Sequence, residues 1–160
     1  MILTRCCSPS AARRSLDWGV LLVIAASIGL GAAMQKTGAD VGVAQGILSL
    51  AGTNPYVVLA VIYGVTMMFT ELLSNNTAAV LMFPIALATA RSLGTDPMPF
   101  ITSITIAASC GFATPIGYQT NLMVYGPGGY RFSDYMRFGG ILNLIVWAIT
   151  ATLAPRIWPF

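Results

Sequence analysis

Two short polar clusters hold most of the side chains in this sequence that can bind or react: Thr70-Glu71-Leu72-Leu73-Ser74-Asn75-Asn76-Thr77 and Thr114-Pro115-Ile116-Gly117-Tyr118-Gln119-Thr120-Asn121. Hydroxyls and amides dominate both, and only Glu71 carries a charge. Neutral oxygens of this kind can replace the hydration shell of a dehydrated alkali cation. The first residues of a helix offer unpaired N–H groups and a positive dipole to an anion. Asn76 or Thr77 is placed to cap a helix after the first cluster, and Thr114 followed by Pro115 reads as an N-cap and N1 pair. Each cluster therefore has parts for ligands of either sign. The alternative is that Ser, Thr and Asn merely hold helices together, but two such clusters in one short chain favour a transport site.

The segments that carry these clusters are apolar. Trp18 to about Met34 has the length and composition of a spanning helix, with Asp17 suited to its positive end and Trp18 to an interface. Gln35–Asp40 is its polar exit, and Val43–Leu50 is apolar but too short to span. Tyr56–Leu73 and Ala78–Ala90 form two apolar arms around the first polar cluster. That cluster is either an aqueous loop joining two complete spans or the buried tip of a re-entrant hairpin. Phe100–Phe112 predicts a short helix that must break at Thr114-Pro115, because proline and the nearby glycine free backbone groups that then need partners. Gly126-Pro127-Gly128-Gly129 is a turn. Ser133 or Asp134 can cap a last helix, whose apolar run from Gly139 to Ala154 ends at Pro155, with Trp158 and Phe160 as an aromatic finish.

Composition agrees. The 160 residues are 56% hydrophobic and 8% charged, whereas soluble domains carry about a quarter charged residues. There is no histidine, and with no nucleophile elbow or clustered acid pair nothing points to an enzyme. Cys6, Cys7 and Cys110 have neither zinc nor disulfide spacing. The net charge of +3 comes from scattered arginines, which does not describe a nucleic-acid binder. Arg5, Arg13 and Arg14 follow the first apolar residues instead of preceding a signal core, so residues 1–16 read as a cytoplasmic, interfacial lead-in and 17–160 as one membrane transport domain.

At Thr70–Ala79 and Thr114–Tyr130 the chain resembles the divalent-anion:sodium symporters of the ion transporter superfamily, which include citrate-transporter-like permeases. The likeness runs over nearly the whole chain and matches the C-terminal half of such a transporter. It is nearest to bacterial members with soluble regulatory domains between their membrane halves. It implies an all-α integral membrane fold: one transporter repeat with spanning helices, a re-entrant hairpin and a broken helix. A Ser-Asn-Thr signature marks the hairpin tip in that family; Ser74 and Asn75 take its first two places, Asn76 falls on the third, and threonine is displaced to Thr77. The resemblance implies a sodium site from Thr70, Leu73, Asn75 and Ala113. It likewise implies substrate contacts from Ser74, Asn75, Asn76, Thr77, Thr114 and Pro115.

Glu71, an ionisable group in a membrane segment, is a functional candidate by default. A structural role is weighed ahead of it, with an arginine or water as partner. Arg131 and Arg137 read as interfacial anchors, and Met67, Met68 and Met123 as packing residues. The expected function is secondary active transport of a small anion of the dicarboxylate, citrate or sulfate class in a multi-pass cell-membrane protein, and the resemblance implies an elevator-like movement. Sodium is the expected coupling ion, with no other cofactor. The expected partners are lipid, the anion, and a missing N-terminal half or a second copy. The alternative is a truncated or assembly fragment without transport of its own, suggested by the absent first repeat.

Overall fold

The computed structural model describes Ser8, Ser10 and residues 18–160. The expected roles of Arg5, Arg13 and Arg14, of the Cys6–Cys7 pair, of Asp17 and of the Trp18 side chain lie outside the described residues. Among the described residues there are seven α-helices and no strand: α1 (Trp18–Thr37), α2 (Ala39–Ala51), α3 (Pro55–Leu72), α4 (Asn75–Leu93), α5 (Met98–Ala108), α6 (Gln119–Tyr125) and α7 (Phe132–Ile157). The helices α3, α4 and α7 are each long and apolar enough to cross a membrane. The 20-residue α1 takes in only Gln35–Thr37 of the polar exit expected over Gln35–Asp40, with Lys36 in its last turn, where a cation suits the negative end of the helix.

Local chemistry sets the boundaries. Pro55 occupies the first turn of α3, and the Asn54 carboxamide accepts a hydrogen bond from Tyr56 N at 3.0 Å. The helix α4 ends at Gly94, in the left-handed region at φ 67°, where Thr95 N reaches back to Ala90 O. Two expectations are corrected in α7. The N-cap is Arg131, and Asp134 acts three residues later, its carboxylate accepting from Arg131 N at 2.7 Å. Pro155 does not stop the helix but sits inside its last turn, close to an end that loses few hydrogen bonds to it.

α3 is the centre of the assembly and packs against α2, α4, α5 and α7. Its residues Val58, Leu59, Ile62, Tyr63, Thr66 and Thr70 recur at helical spacing and bury one face. Val58, Leu59 and Ile62 meet Met82, Ile85, Ala86 and Ala90 of α4 and Phe100 and Ile104 of α5 in the core. Phe160 folds back to this core, its ring 5.1 Å from Tyr56 and 5.5 Å from Phe100, so it is more than an interfacial finish. The inward seam of α7 is small or polar, with Gly139, Asn143, Thr150 and Ala154 buried, whereas Phe138, Ile141, Leu144, Ile145 and Ile149 are exposed. Small residues inside and large apolar ones outside are the arrangement of a helix surrounded by lipid. The Trp147 indole fixes the height of α7 against α3 by donating to Ala60 O at 2.9 Å. Met68 and Met123 stand exposed.

Candidate functional site at two helix breaks

Both polar clusters interrupt helices, and the fold brings the interruptions together. The first is very short. α3 ends at Leu72, Leu73 and Ser74 are extended, and α4 begins at Asn75. The N-cap is Ser74, not Asn76 or Thr77: its hydroxyl accepts from Thr77 N at 3.3 Å and lies 2.7 Å from Thr77 Oγ1. Asn76 is exposed in the first turn of α4.

The second break is longer. α5 stops at Ala108 and α6 does not begin until Gln119, with Tyr118 as its N-cap. The expected helix start at Thr114-Pro115 is thus corrected. The Thr114 hydroxyl instead donates to Glu71 O at 2.8 Å and accepts from Gly117 N at 3.0 Å, which closes a local turn and leaves Pro115 buried. Asn121 holds the far side, donating to Gly111 O at 2.8 Å and Thr114 O at 3.1 Å. Tyr135 of α7 in turn donates to Asn121 O at 3.0 Å.

The two breaks touch at the end of α3. A Cβ on Gly117 would stand 3.1 Å from Thr70 O and 3.2 Å from Glu71 Oε2, so the bare glycine lets the unwound backbone lie against that helix end. Thr70 Oγ1 is 2.5 Å from Ala108 O and 2.9 Å from the inner end of the Asn75 carboxamide. The same end of the amide lies 3.1 Å from Ala108 O and 3.3 Å from Gly117 O. Hydrogen bonding favours the orientation with the amide nitrogen turned inward, where it donates to these oxygens. With its oxygen inward, four oxygens converge and the Thr70 hydroxyl supplies the one proton among them. An arrangement of the second kind suits a small dehydrated cation, which replaces missing protons with its own charge.

Of the expected cation ligands, Thr70 and Asn75 meet directly. The carbonyls beside them are those of Ala108 and Gly117, neither of which was expected. Leu73 lies at the tip, its N–H bonded to Phe69 O. Ala113 presents its N–H to Glu71 Oε1 at 2.9 Å. Among the described residues Glu71 pairs with no arginine; its second contact is Asn143 Nδ2 of α7, 2.6 Å from Oε1. Gly139, one turn earlier in α7, lies so close to Phe112 that an added Cβ would be 1.9 Å from the Phe112 carbonyl oxygen. Asn143 and Gly139 escaped the sequence reading, although a lone carboxamide inside a membrane-length apolar run is a visible signal. Among the described residues, no group of three or more His, Cys, Asp or Glu side chains is placed to hold a metal.

Comparison with known proteins identifies the family. The family model described as citrate transporter matches residues 1–99 and 72–158. An uncharacterized transporter of Synechocystis is 42% identical over 99% of this chain, and one of Escherichia coli is 34% identical over 98%. The sodium/sulfate cotransporter 2 of Chlamydomonas reinhardtii is 39% identical over 87% of the chain. The chain spans 26% of the length of the two bacterial relatives and 16% of the algal one. With helices and no strand among its described residues, three of the helices apolar and of membrane length, and nearly its whole length matched by this family model, the chain belongs to the citrate transporter family of membrane transporters.

Proposed function

We propose that this chain forms the C-terminal half-site of a cation-coupled transporter for a small anion of the sulfate, dicarboxylate or citrate class, in the cell membrane, with residues 17–160 as a single transport domain. The convergence of Thr70 Oγ1, the Asn75 amide, Ala108 O and Gly117 O carries this reading. With the Asn75 carboxamide turned so that its oxygen faces inward, these four groups offer a sodium ion four oxygens, and the ion takes over the place of the amide's inward hydrogen bonds. Sodium held there ties the end of α3, the start of α4 and the second break to one point. Leu73 and Ala113, the other two residues suggested by the resemblance, flank this point at the tip and in the second break, their N–H groups bonded to Phe69 O and Glu71 Oε1. The relatives named as sodium/sulfate cotransporters support both the ion and the anion class.

The anion binds on the outer side of the same tip. Ser74, Asn75, Asn76 and Thr77 form the N-terminal turn of α4, where first-turn amides and the helix dipole favour negative charge. Asn76 is exposed there, open to a ligand or to a facing segment. Thr114 and Pro115 act from behind, since the Thr114 hydroxyl is engaged by Glu71 O and Gly117 N and Pro115 is buried.

In this reading α3 and α4 are the arms of a re-entrant hairpin and α5–α6 is a broken helix. Its support is that irregular backbone at membrane depth is tolerated only where protein or a cavity covers it. The 108–119 segment meets the hairpin tip, so both breaks share one depth. A second transporter half, or a second copy of this chain, closes the anion site from the other side. A chain spanning about a quarter of its relatives' length also fits a second reading, an assembly unit with no transport of its own. Reconstitution of the 160-residue chain, alone and with its partner segment, separates the two. Sodium-driven sulfate uptake that needs the partner and is lost in Asn75→Ala supports the proposal. Uptake equal with and without a sodium gradient refutes it.

A further inference from the structure

The buried carboxamide of Asn143 lies outside the oxygen cluster and is not explained by it. Asn143 is 3% exposed within an otherwise apolar stretch of α7. A carboxamide is costly at such a place unless it is hydrogen-bonded, and a leucine would pack there without that cost. Its Nδ2 donates to Glu71 Oε1 at 2.6 Å, and Ala113 N donates to the same oxygen at 2.9 Å. The Asn143 Oδ1 and Glu71 Oε2 atoms are both buried and have no hydrogen-bond partner among the described residues. The geometry is therefore incomplete as a structural tie yet specific at one oxygen.

We propose that Asn143 is a positioning residue for the cation site: it holds the Glu71 carboxylate in the one rotamer that anchors Ala113, and so sets where the second break lies against Thr70 and Asn75. This rests on the cation reading given above. Glu71 follows Thr70 directly, and its backbone carbonyl takes the Thr114 hydroxyl while its side chain takes the Ala113 amide. Two successive residues of the break are thus registered to the residue beside a proposed ligand. Without Asn143, the carboxylate keeps a single donor on Oε1 and can swing about χ3, and Ala113 loses its fixed anchor. One turn earlier, Gly139 lets the Phe112 carbonyl lie against α7, so both contacts sit on one face of that helix at i and i+4.

The test is binding of radiolabelled sodium to the purified native transporter that carries this chain, with thermal stability measured in parallel. Asn143→Leu, which keeps the branched shape and removes the polar atoms, is expected to raise the sodium dissociation constant about ten-fold, the worth of one hydrogen bond to a charged group. Glu71→Gln is expected to do the same. Asn143→Leu added to Glu71→Gln should change little more, because the two residues act through one contact. If sodium does not bind the unmodified protein, the cation reading itself fails. If it binds, and Asn143→Leu lowers thermal stability while leaving sodium affinity unchanged, Asn143 is only a structural tie and the proposal is overturned. Should Asn143→Leu fail to accumulate, Asn143→Ser breaks the same contact and carries the same expectation. Should neither accumulate, Glu71→Gln decides, and sodium affinity unchanged in it overturns the proposal.

Discussion

Replacing Gly139 with alanine tests whether the second break is held in place by α7. An ideal Cβ there would sit 1.9 Å from Phe112 O, 2.4 Å from Phe112 C and 2.9 Å from Ala113 N. All three are backbone atoms, so no side-chain rotation relieves the contact. Restoring ordinary separation moves the break away from α7 by more than about 1 Å, near the limit of what packed interiors absorb. The Ala113 N–H bond to Glu71 Oε1, 2.9 Å long, would then pass beyond hydrogen-bonding range. Overpacking costs about 1–3 kcal/mol, loss of a bond to a carboxylate about 1.5–3 kcal/mol, and alanine's better helix propensity returns about 1 kcal/mol. The expected net loss is roughly 2–5 kcal/mol. Gly140→Ala is the matched control, because a Cβ at that neighbouring residue meets nothing within 4 Å. The assay is thermal unfolding of the purified transporter, followed by its sodium-dependent uptake. Gly139→Ala should unfold at a clearly lower temperature and need about ten-fold more sodium for half-maximal uptake. Gly140→Ala should match the parent protein. Indistinguishable behaviour of the two variants would refute the close approach of α7 to the break.

Thr114→Ala removes the donor to Glu71 O and the acceptor for Gly117 N; about 1–3 kcal/mol of stability should be lost, with Thr114→Ser close to wild type in the same unfolding assay. Trp147→Phe deletes the indole bond to Ala60 O and should cost about 0.5–1.5 kcal/mol without changing the sodium requirement of uptake. Unfolding and uptake curves separate those two effects. Asn76→Cys, exposed at the start of α4, should react with a membrane-impermeant maleimide more slowly when sodium and sulfate are both present; a labelling rate indifferent to both would count against an anion site at the tip.

How much of this was legible beforehand depended on the kind of interaction. The membrane class, the apolar arms, the short second helix and both polar breaks follow from hydropathy and from Pro, Gly and Asn positions, which act over a few residues. Cap identity was less legible. Ser74, Asn76 and Thr77 are all competent caps, and only the backbone path, extended at Leu73 and Ser74, selects the serine. The Thr114-Pro115 pair has the local chemistry of a helix start. Its hydroxyl was captured by Glu71 O, 43 residues earlier in the chain, and the helix moved to Gln119. Pro155 reads as a stop, but a proline in the last turn removes too little to end α7.

The oxygen cluster shows the same division. Thr70 and Asn75 are five residues apart and could be paired from the chain alone. Ala108 and Gly117 join them through backbone carbonyls, which every residue has, so side-chain identity gives no sign of their role. Glu71, Ala113 and Asn143 lie on three different elements, and their shared oxygen exists only because α3, the unwound segment and α7 pack together. Residue types and spacing thus establish that polar breaks interrupt apolar helical segments. Which atoms of those breaks face each other depends on close packing between distant segments, where a missing side chain at Gly117 or Gly139 matters as much as any functional group.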